Sequence, residues 1–326
     1  MRADQLKELL KPKVFEVIDT HIPFFKTPKL FRSLGFRFKR GPLITKTNRL
    51  IRKQLESFSV QKFDLIWVDK AIYVTKETTV ILRQKTNKLV HYTPDMAFYS
   101  NRSRLFEKSI PLYDYLITTK TREISFYNRY IDCNRLILTT QGYDIATHRP
   151  LHPFLSKEKS VSFIGLAETF RFQIIQQLIN SNIKVKLAGL GWRSFVTKNK
   201  NNNNLQFLGE SLFANDYTNF ISSSQFSLGL LSKRFPELHT TRTFEIPACG
   251  TALITERNKE TSHFFNEDEA IFYSTPEEMV ERILYYQSHP KKLEALTIKG
   301  RERVIRDGRD YRSSLKGVLE KMGFSF

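Results

Sequence analysis

Short apolar runs alternate with amphipathic stretches along most of the chain, which is the rhythm of parallel βα units. In the first half, Val14–Ile18, Asp64–Val68, Lys88–Tyr92, Tyr115–Thr118 and Leu136–Thr139 predict strands. The polar, proline-bearing stretch Thr147–Pro153 predicts a linker. The rhythm then restarts. Val161–Ile164 reads as a strand ending at Gly165, and Arg171–Asn180 as a helix with Ile174, Ile175, Leu178 and Ile179 on one face. Ile183, Val185 and Leu187 alternate as a strand running into Gly189-Leu-Gly191, and Lys198–Asn204 is polar enough to be a surface loop. Leu205–Leu208, Phe226–Leu231 and Ala252–Thr255 complete the second set of strands. Ser274-Thr-Pro-Glu-Glu278 starts a helix: an N-cap candidate, proline at the first position, then acids against the positive end of the dipole. Ser288-His-Pro290 starts another. The pattern predicts an α/β protein of two Rossmann-like halves with a cleft between them. The expected divisions are 1–152, 153–305 and a closing helix, 306–326, that returns to the first domain.

Composition narrows the class. The chain has 326 residues, 40% hydrophobic and 26% charged, which is a globular rather than a disordered balance. Two cysteines, Cys133 and Cys249, exclude a disulfide scaffold and a multi-cysteine zinc module and fit a reducing cytoplasm. No apolar run is long enough for a bilayer span, and the opening MRADQLKELLKPK lacks the apolar core of a secretion signal. Lys plus Arg is 52 against 33 acids, a net charge of +19. That excess favours polyanionic partners: nucleic acid, anionic lipid head groups or phosphorylated substrates. It is concentrated, because Thr20–Leu55 carries ten Lys or Arg and no acid.

The most informative segment is Glu237-Leu-His-Thr-Thr-Arg-Thr-Phe-Glu245-Ile-Pro-Ala-Cys-Gly250, two acids with seven residues between them across a loop-to-helix junction. Thr240 or Thr241 is the expected N-cap and Gly250 the expected residue past the helix end. Backbone N–H groups, hydroxyls and Arg242 at the helix entrance would make an anion site suited to a diphosphate. Glu245, one turn in, could accept bonds from ribose hydroxyls, and Glu237 could reach a second polyol. Arg171, just after Gly165, is a second candidate phosphate contact.

These residues resemble a known family. The paired acids followed by Ile-Pro-Ala-Cys-Gly are similar to the donor motif of retaining GT-B glycosyltransferases, in particular the CgeB-like branch of the group 1 glycosyl transferases. The likeness includes Phe163-Ile-Gly165 with Arg171, Gly189-Leu-Gly191-Trp192, Phe207-Leu-Gly209, Thr241-Arg-Thr-Phe-Glu245 and Lys299-Gly-Arg301; in the first half it includes Asp64–Asp69 and His91-Tyr-Thr-Pro-Asp95. The resemblance implies a GT-B fold and a nucleotide-sugar donor, held without a metal or other cofactor. Glu245 would bind ribose and Glu237 the transferred sugar. Arg171 and Arg242 would meet the diphosphate, with Gly165, Gly189, Thr240 and Thr241 around it and the backbone near Leu208 and Gly209 at the base. His91 and Asp95 would serve catalysis from the first domain. Such domains usually open with a strand and a glycine-rich loop. This chain starts later, with Met1–Leu10 as the end of a first helix and Val14–Ile18 as a second strand.

The basic stretch interleaves phenylalanine with cations. Phe24, Phe25, Lys26, Arg37, Lys39 and Arg40 are candidates for a membrane or acceptor surface. The expected acceptor is an envelope glycan or a lipid-linked saccharide, and the expected location is cytoplasmic, peripheral at the inner face of the membrane. The same mixture could suit single-stranded nucleic acid or be a plain solvated basic face. No zinc finger or RNA-recognition signature supports nucleic acid. The alternative to a transferase is a GT-B-like protein that binds a nucleotide sugar without transferring it, as a partner in a surface-assembly complex.

Overall fold

The computed structural model describes residues 2–99 and 101–326, so Met1 of the expected first helix lies outside the described residues. The chain forms two compact units: residues 1–140 with 315–326, and residues 141–314. The division falls ahead of the stretch read as a linker, because Gln141 and Tyr143–His148 fold into the second unit. Tyr143 N–H donates to Arg309 O at 3.3 Å, and Tyr311 N–H returns to Tyr143 O at 2.9 Å.

The first unit carries four parallel strands in chain order, β1 (Phe63–Asp69), β2 (Thr86–Thr93), β3 (Tyr115–Thr118) and β4 (Leu136–Leu138). Register is set by Trp67 opposite Val90, His91 opposite Leu116 and Ile117 opposite Ile137. The strands are apolar on both faces, as a sheet covered on both sides requires. Leu89 and Leu116 point to a core with Leu55, Leu82, Phe106 and Tyr127. Val90, Tyr92 and Ile117 point to the opposite core, with Leu6, Leu315, Val318 and Leu319. The expected strand Val14–Ile18 does not form. Phe15 packs on one of these cores and Ile18 on the other, while Val14 and Val17 are exposed, so this extended segment has no ladder to join.

The second unit is a six-stranded parallel sheet: β5 (Glu158–Ile164), β6 (Val185–Ala188), β7 (Leu205–Phe207), β8 (Ser224–Leu228), β9 (Ala252–Glu256) and β10 (Ile271–Tyr273). Its order is β10-β9-β8-β5-β6-β7. Relabelled from β5, this is the dinucleotide-binding order, in which the winding reverses between the first and fourth strands. The ladder of β8 ends earlier than expected, although Leu230 and Leu231 beyond it remain buried. The three-residue β10 has no counterpart among the predicted strands. Helix Thr169–Asn180 buries Ile174, Ile175, Leu178 and Ile179 against the sheet, as its spacing predicts. Helix Pro276–Ser288 is capped by Thr275, whose hydroxyl accepts from Glu278 N–H at 3.2 Å. Glu278 in turn accepts Ser274 N–H, one residue before the cap, at 2.7 Å.

The ends of β5 and β6 come unusually close. Gly189 has φ +131°, and a Cβ there would stand 2.0 Å from Gly165 O. The indole of Trp192 also donates to that carbonyl, at 2.8 Å. Gly189→Ala should therefore destabilise the protein by roughly 3 kcal/mol or more, or prevent folding. Gly209, at φ +114° but facing open space, should cost only about 1 kcal/mol as Ala. Urea denaturation of the two variants checks the contrast.

Candidate functional site

In open α/β sheets ligands settle at the carboxyl ends of the strands where the winding reverses. Here that point lies between β5 and β8, and the chain spends an unusual set of side chains on it. Arg171, in the first turn of helix Thr169–Asn180, reaches back across the crevice. Its two Nη groups donate to Leu166 O, in the turn after β5, at 2.8 Å, and to Leu230 O, in the loop after β8, at 3.2 Å. Glu168 makes the same crossing with opposite charge. It accepts from Ser232 Oγ at 2.9 Å and from Lys233 N–H at 3.3 Å, and lies 3.5 Å from Arg171 Nη1. Both side chains are buried. Burial depresses the Arg171 pKa, while Glu168 and Glu237 oppose that shift.

The loop from Gly229 to Thr241 is held at its far end by His239. Gln141 N–H donates to His239 Nε2 at 3.3 Å, which leaves the ring proton on Nδ1, 2.6 Å from Glu260 Oε2. The helix that follows is Arg242–Ala248, seven residues long. Thr241 stands at its N-cap, one of the two expected positions, and makes no side-chain capping bond. The hydroxyl that caps is Thr243 Oγ1, which accepts Thr240 N–H at 3.2 Å from inside the first turn. Gly250 ends the helix as expected, at φ +65°, with Gly250 N–H bonded to Pro247 O and Thr251 N–H to Ile246 O.

Glu245 turns its carboxylate to a small buried cage. Tyr217 donates to Oε2 at 2.6 Å, and His148 Nε2 lies 3.7 Å from Oε1. His148 Nδ1 accepts Asp144 N–H at 2.9 Å, so the proton on Nε2 faces the acid. Burial and Glu245 together raise the Tyr217 pKa well above 10. Sequence reading missed His148, because it sits in the stretch that looked like a linker, and missed Tyr217, Glu168 and Glu260. For Glu168 a signal existed, three residues before Arg171.

Several polar atoms here are buried without a hydrogen-bond partner among the described residues: Arg171 Nε, Arg242 Nε, Thr240 Oγ1, Thr255 Oγ1 and Tyr273 OH. Arg171 and Arg242 lie on the first turn of a helix leaving the carboxyl edge of the sheet, Thr240 in the loop just before the second of these helices, and Thr255 and Tyr273 at the carboxyl ends of β9 and β10. Arg171 senses the charges of Arg242, Glu237 and Arg234, which ties these groups into one electrostatic neighbourhood. Buried orphans are scarce in folded proteins, and a cluster of them at a switch point marks a place prepared for another polar molecule. On the other side of the reversal, Leu166, Leu190 and Leu208 stand exposed at the carboxyl ends of β5, β6 and β7. Their backbones are locked by Ala167 N–H to Leu190 O, Leu208 N–H to Leu187 O, and Gly189 N–H to Gly209 O. Among the described residues no group of three or more His, Cys, Asp or Glu could hold a metal.

Residues 171–319 match the family described as glycosyl transferase-like. The chain has the fold of the GT-B glycosyltransferases. No curated protein matches it in sequence. Its fold is similar to that of Anabaena HepE in complex with UDP and glucose, at 13% identity and TM-score 0.65, over 99% of this chain and 94% of that one. It is also similar to sucrose-phosphate synthase from Thermosynechococcus elongatus (14%, TM-score 0.63, 89% and 79%). A third similar structure is α,α-trehalose 6-phosphate synthase from Burkholderia multivorans (12%, TM-score 0.61, 93% and 82%).

The expected residues of the first unit fare differently. His91 is not a site residue. It is 0% exposed and stacks on Phe106 at 4.2 Å, and neither ring nitrogen makes a well-formed hydrogen bond. The inward phase of β2 puts it in the core, where burial drives its pKa down to about 3. Asp95 does stand at the carboxyl end of β2, partly exposed, 2.6 Å from Lys70 Nζ and 3.1 Å from Asn101 Nδ2. Lys39 is not a surface cation: it is buried over the Phe36 ring at 4.0 Å, and its pKa falls to about 8. Phe24 is half-buried under Arg32, whereas Phe25, Lys26, Arg37 and Arg40 are exposed.

The buried histidine has a measurable consequence. Unfolded His91 takes up a proton below about pH 6.5 and the folded form does not until about 3, so its contribution to stability is lost as pH falls between those values. Between pH 7 and 5 the native protein should lose about 2 kcal/mol more than His91→Leu does. His91→Leu should leave turnover at the native level, because the ring lies in the core. Chemical denaturation at the two pH values and a turnover assay check both statements.

Proposed function

We propose that the chain transfers a sugar from a nucleoside diphosphate sugar to an envelope glycan or lipid-linked acceptor, with retention at the anomeric carbon and without a metal. The observation that carries this reading is the buried cationic crevice at the β5–β8 reversal, with Arg171 Nε and Arg242 Nε both lacking partners. A diphosphate is the ligand whose charge and acceptor count match it. Arg171, its Nη groups already committed to backbone carbonyls, contributes a fixed charge beneath the diphosphate. Arg242, with the Thr240 and Thr241 hydroxyls, faces it from the other side. Gly165 and Gly189 let the backbone approach. Glu245, oriented by Tyr217 and His148, takes the ribose hydroxyls, and Glu237 takes the sugar. The base lies on Leu208 and Gly209, beside the exposed Leu166 and Leu190.

In the reaction the bond from the anomeric carbon to the β-phosphate oxygen breaks, and the acceptor hydroxyl forms the new bond on the same face. The acceptor proton passes to the departing phosphate oxygen. The two guanidinium groups stabilise the charge that builds on the leaving diphosphate, the task a divalent ion performs elsewhere. Asp95, in the first unit, keeps the catalytic role that the resemblance implies. No helix among the described residues is long and apolar enough to cross a membrane. The basic, phenylalanine-bearing N-terminal region supports a peripheral place at the inner face of the cytoplasmic membrane.

Titration calorimetry and thermal shift with UDP, GDP, ADP, CDP and dTDP should give saturable binding of at least one of them. Glu245→Ala should weaken that nucleotide roughly tenfold or more, because ribose is common to nucleotide and donor. Glu237→Ala should leave nucleotide affinity intact and lower turnover by about 10²-fold or more. Unchanged affinity and turnover in both variants would refute the assignment.

A further inference from the structure

The helix Lys29–Phe38 wears its apolar side outward. Leu30, Phe31, Leu34 and Phe38 recur at helical spacing and share a stripe about 100° wide. In an ordinary surface helix that stripe meets the core. Here the four side chains are 67%, 44%, 41% and 59% exposed. What faces the neighbouring helix Pro42–Ser57 is Gly35, where a Cβ would stand 3.2 Å from Leu43 Cβ. Phe25, closing the preceding helix His21–Phe25, is 73% exposed. Around the stripe lie the exposed cations Lys26, Lys29, Arg37 and Arg40, within a segment that holds no acid from Thr20 to Leu55.

We propose that this face seats in the head-group layer of an anionic phospholipid bilayer. Leu30, Phe31, Leu34, Phe38 and Phe25 enter the interface, and Lys26, Lys29, Arg37 and Arg40 meet lipid phosphates. The proposal deepens the peripheral-membrane reading above and names the surface on which it depends. Charge selects this occupant. A second copy of the same face would set Lys26, Lys29, Arg37 and Arg40 against the same four cations, so isologous pairing is repulsive. A nucleic acid would satisfy the cations and leave Leu30 and Leu34, which cannot stack on bases, against phosphate. A lipid interface takes rings, aliphatic side chains and cations together. Of the residues first singled out by sequence, Lys39 and Phe24 do not belong to it, while Leu30, Phe31, Leu34 and Phe38 do.

The test is flotation of the full chain with phosphatidylcholine vesicles and with vesicles containing phosphatidylglycerol. The native protein should float with the anionic vesicles and bind neutral ones roughly tenfold less. The triple change Leu30→Ser, Leu34→Ser, Phe38→Ser should lower anionic partition roughly tenfold or more. Its melting temperature and nucleotide binding should hold, because the side chains are exposed. Arg37→Gln with Arg40→Gln should weaken binding several-fold and reduce its salt dependence. Native protein that ignores anionic vesicles would overturn both this proposal and the peripheral reading. Native protein that floats, with the triple variant floating equally well, would overturn this surface and leave that reading standing. Loss in the triple variant of self-association or of single-stranded RNA binding, with vesicle binding unchanged, would also overturn it.

Discussion

The guanidinium of Arg171 lies across the reversal of the second sheet and holds two backbone carbonyls that belong to different winding directions, Leu166 O after β5 and Leu230 O after β8. Glu168 beside it fixes Ser232 and Lys233 N–H in the same way. A cation buried to this degree is costly unless its donors are matched. The match here ties two loops together and leaves one donor, Nε, facing inward without a partner. The loop that carries Glu237 starts from that tie and ends at the His239–Glu260 pair. The seven-residue helix with Arg242 and Glu245 follows directly. The geometry of the candidate site therefore descends from a few buried ionic contacts rather than from helix dipole alone, which a helix this short supplies only weakly.

This arrangement also explains how a fold shared with proteins at 12–14% identity can persist. The order of strands, the close glycine approach of Gly165 and Gly189, and the carboxyl-end loops are backbone features. They constrain few side chains, and what the site must keep is charge placed at the switch.

Much of this was readable from sequence, and the exceptions have physical causes. β3 appears at the predicted residues because a short apolar run buried on both faces leaves little choice. The end of the Glu245 helix was readable because Gly250 alone tolerates the left-handed turn without strain. Val14–Ile18 looked like a strand since local pattern cannot tell whether a partner strand exists. His91 looked like a site residue through the resemblance of His91-Tyr-Thr-Pro-Asp95 to the family's first domain; only the register of β2 shows that its side chain points into the core. His148 was hidden because proline-rich composition hides a side chain that tertiary folding turns inward. The outward stripe of Lys29–Phe38 was invisible in principle, since the pattern says that a helix has an apolar face and not which way it looks.

The claim that Arg171 acts as the tie between the two loops is tested most directly by amide hydrogen exchange in Arg171→Lys without ligand. Lysine keeps the charge but cannot span both carbonyls. The account predicts markedly faster exchange across residues 229–241, with the strands of the second sheet unchanged. Exchange in that loop identical to the native protein would contradict it.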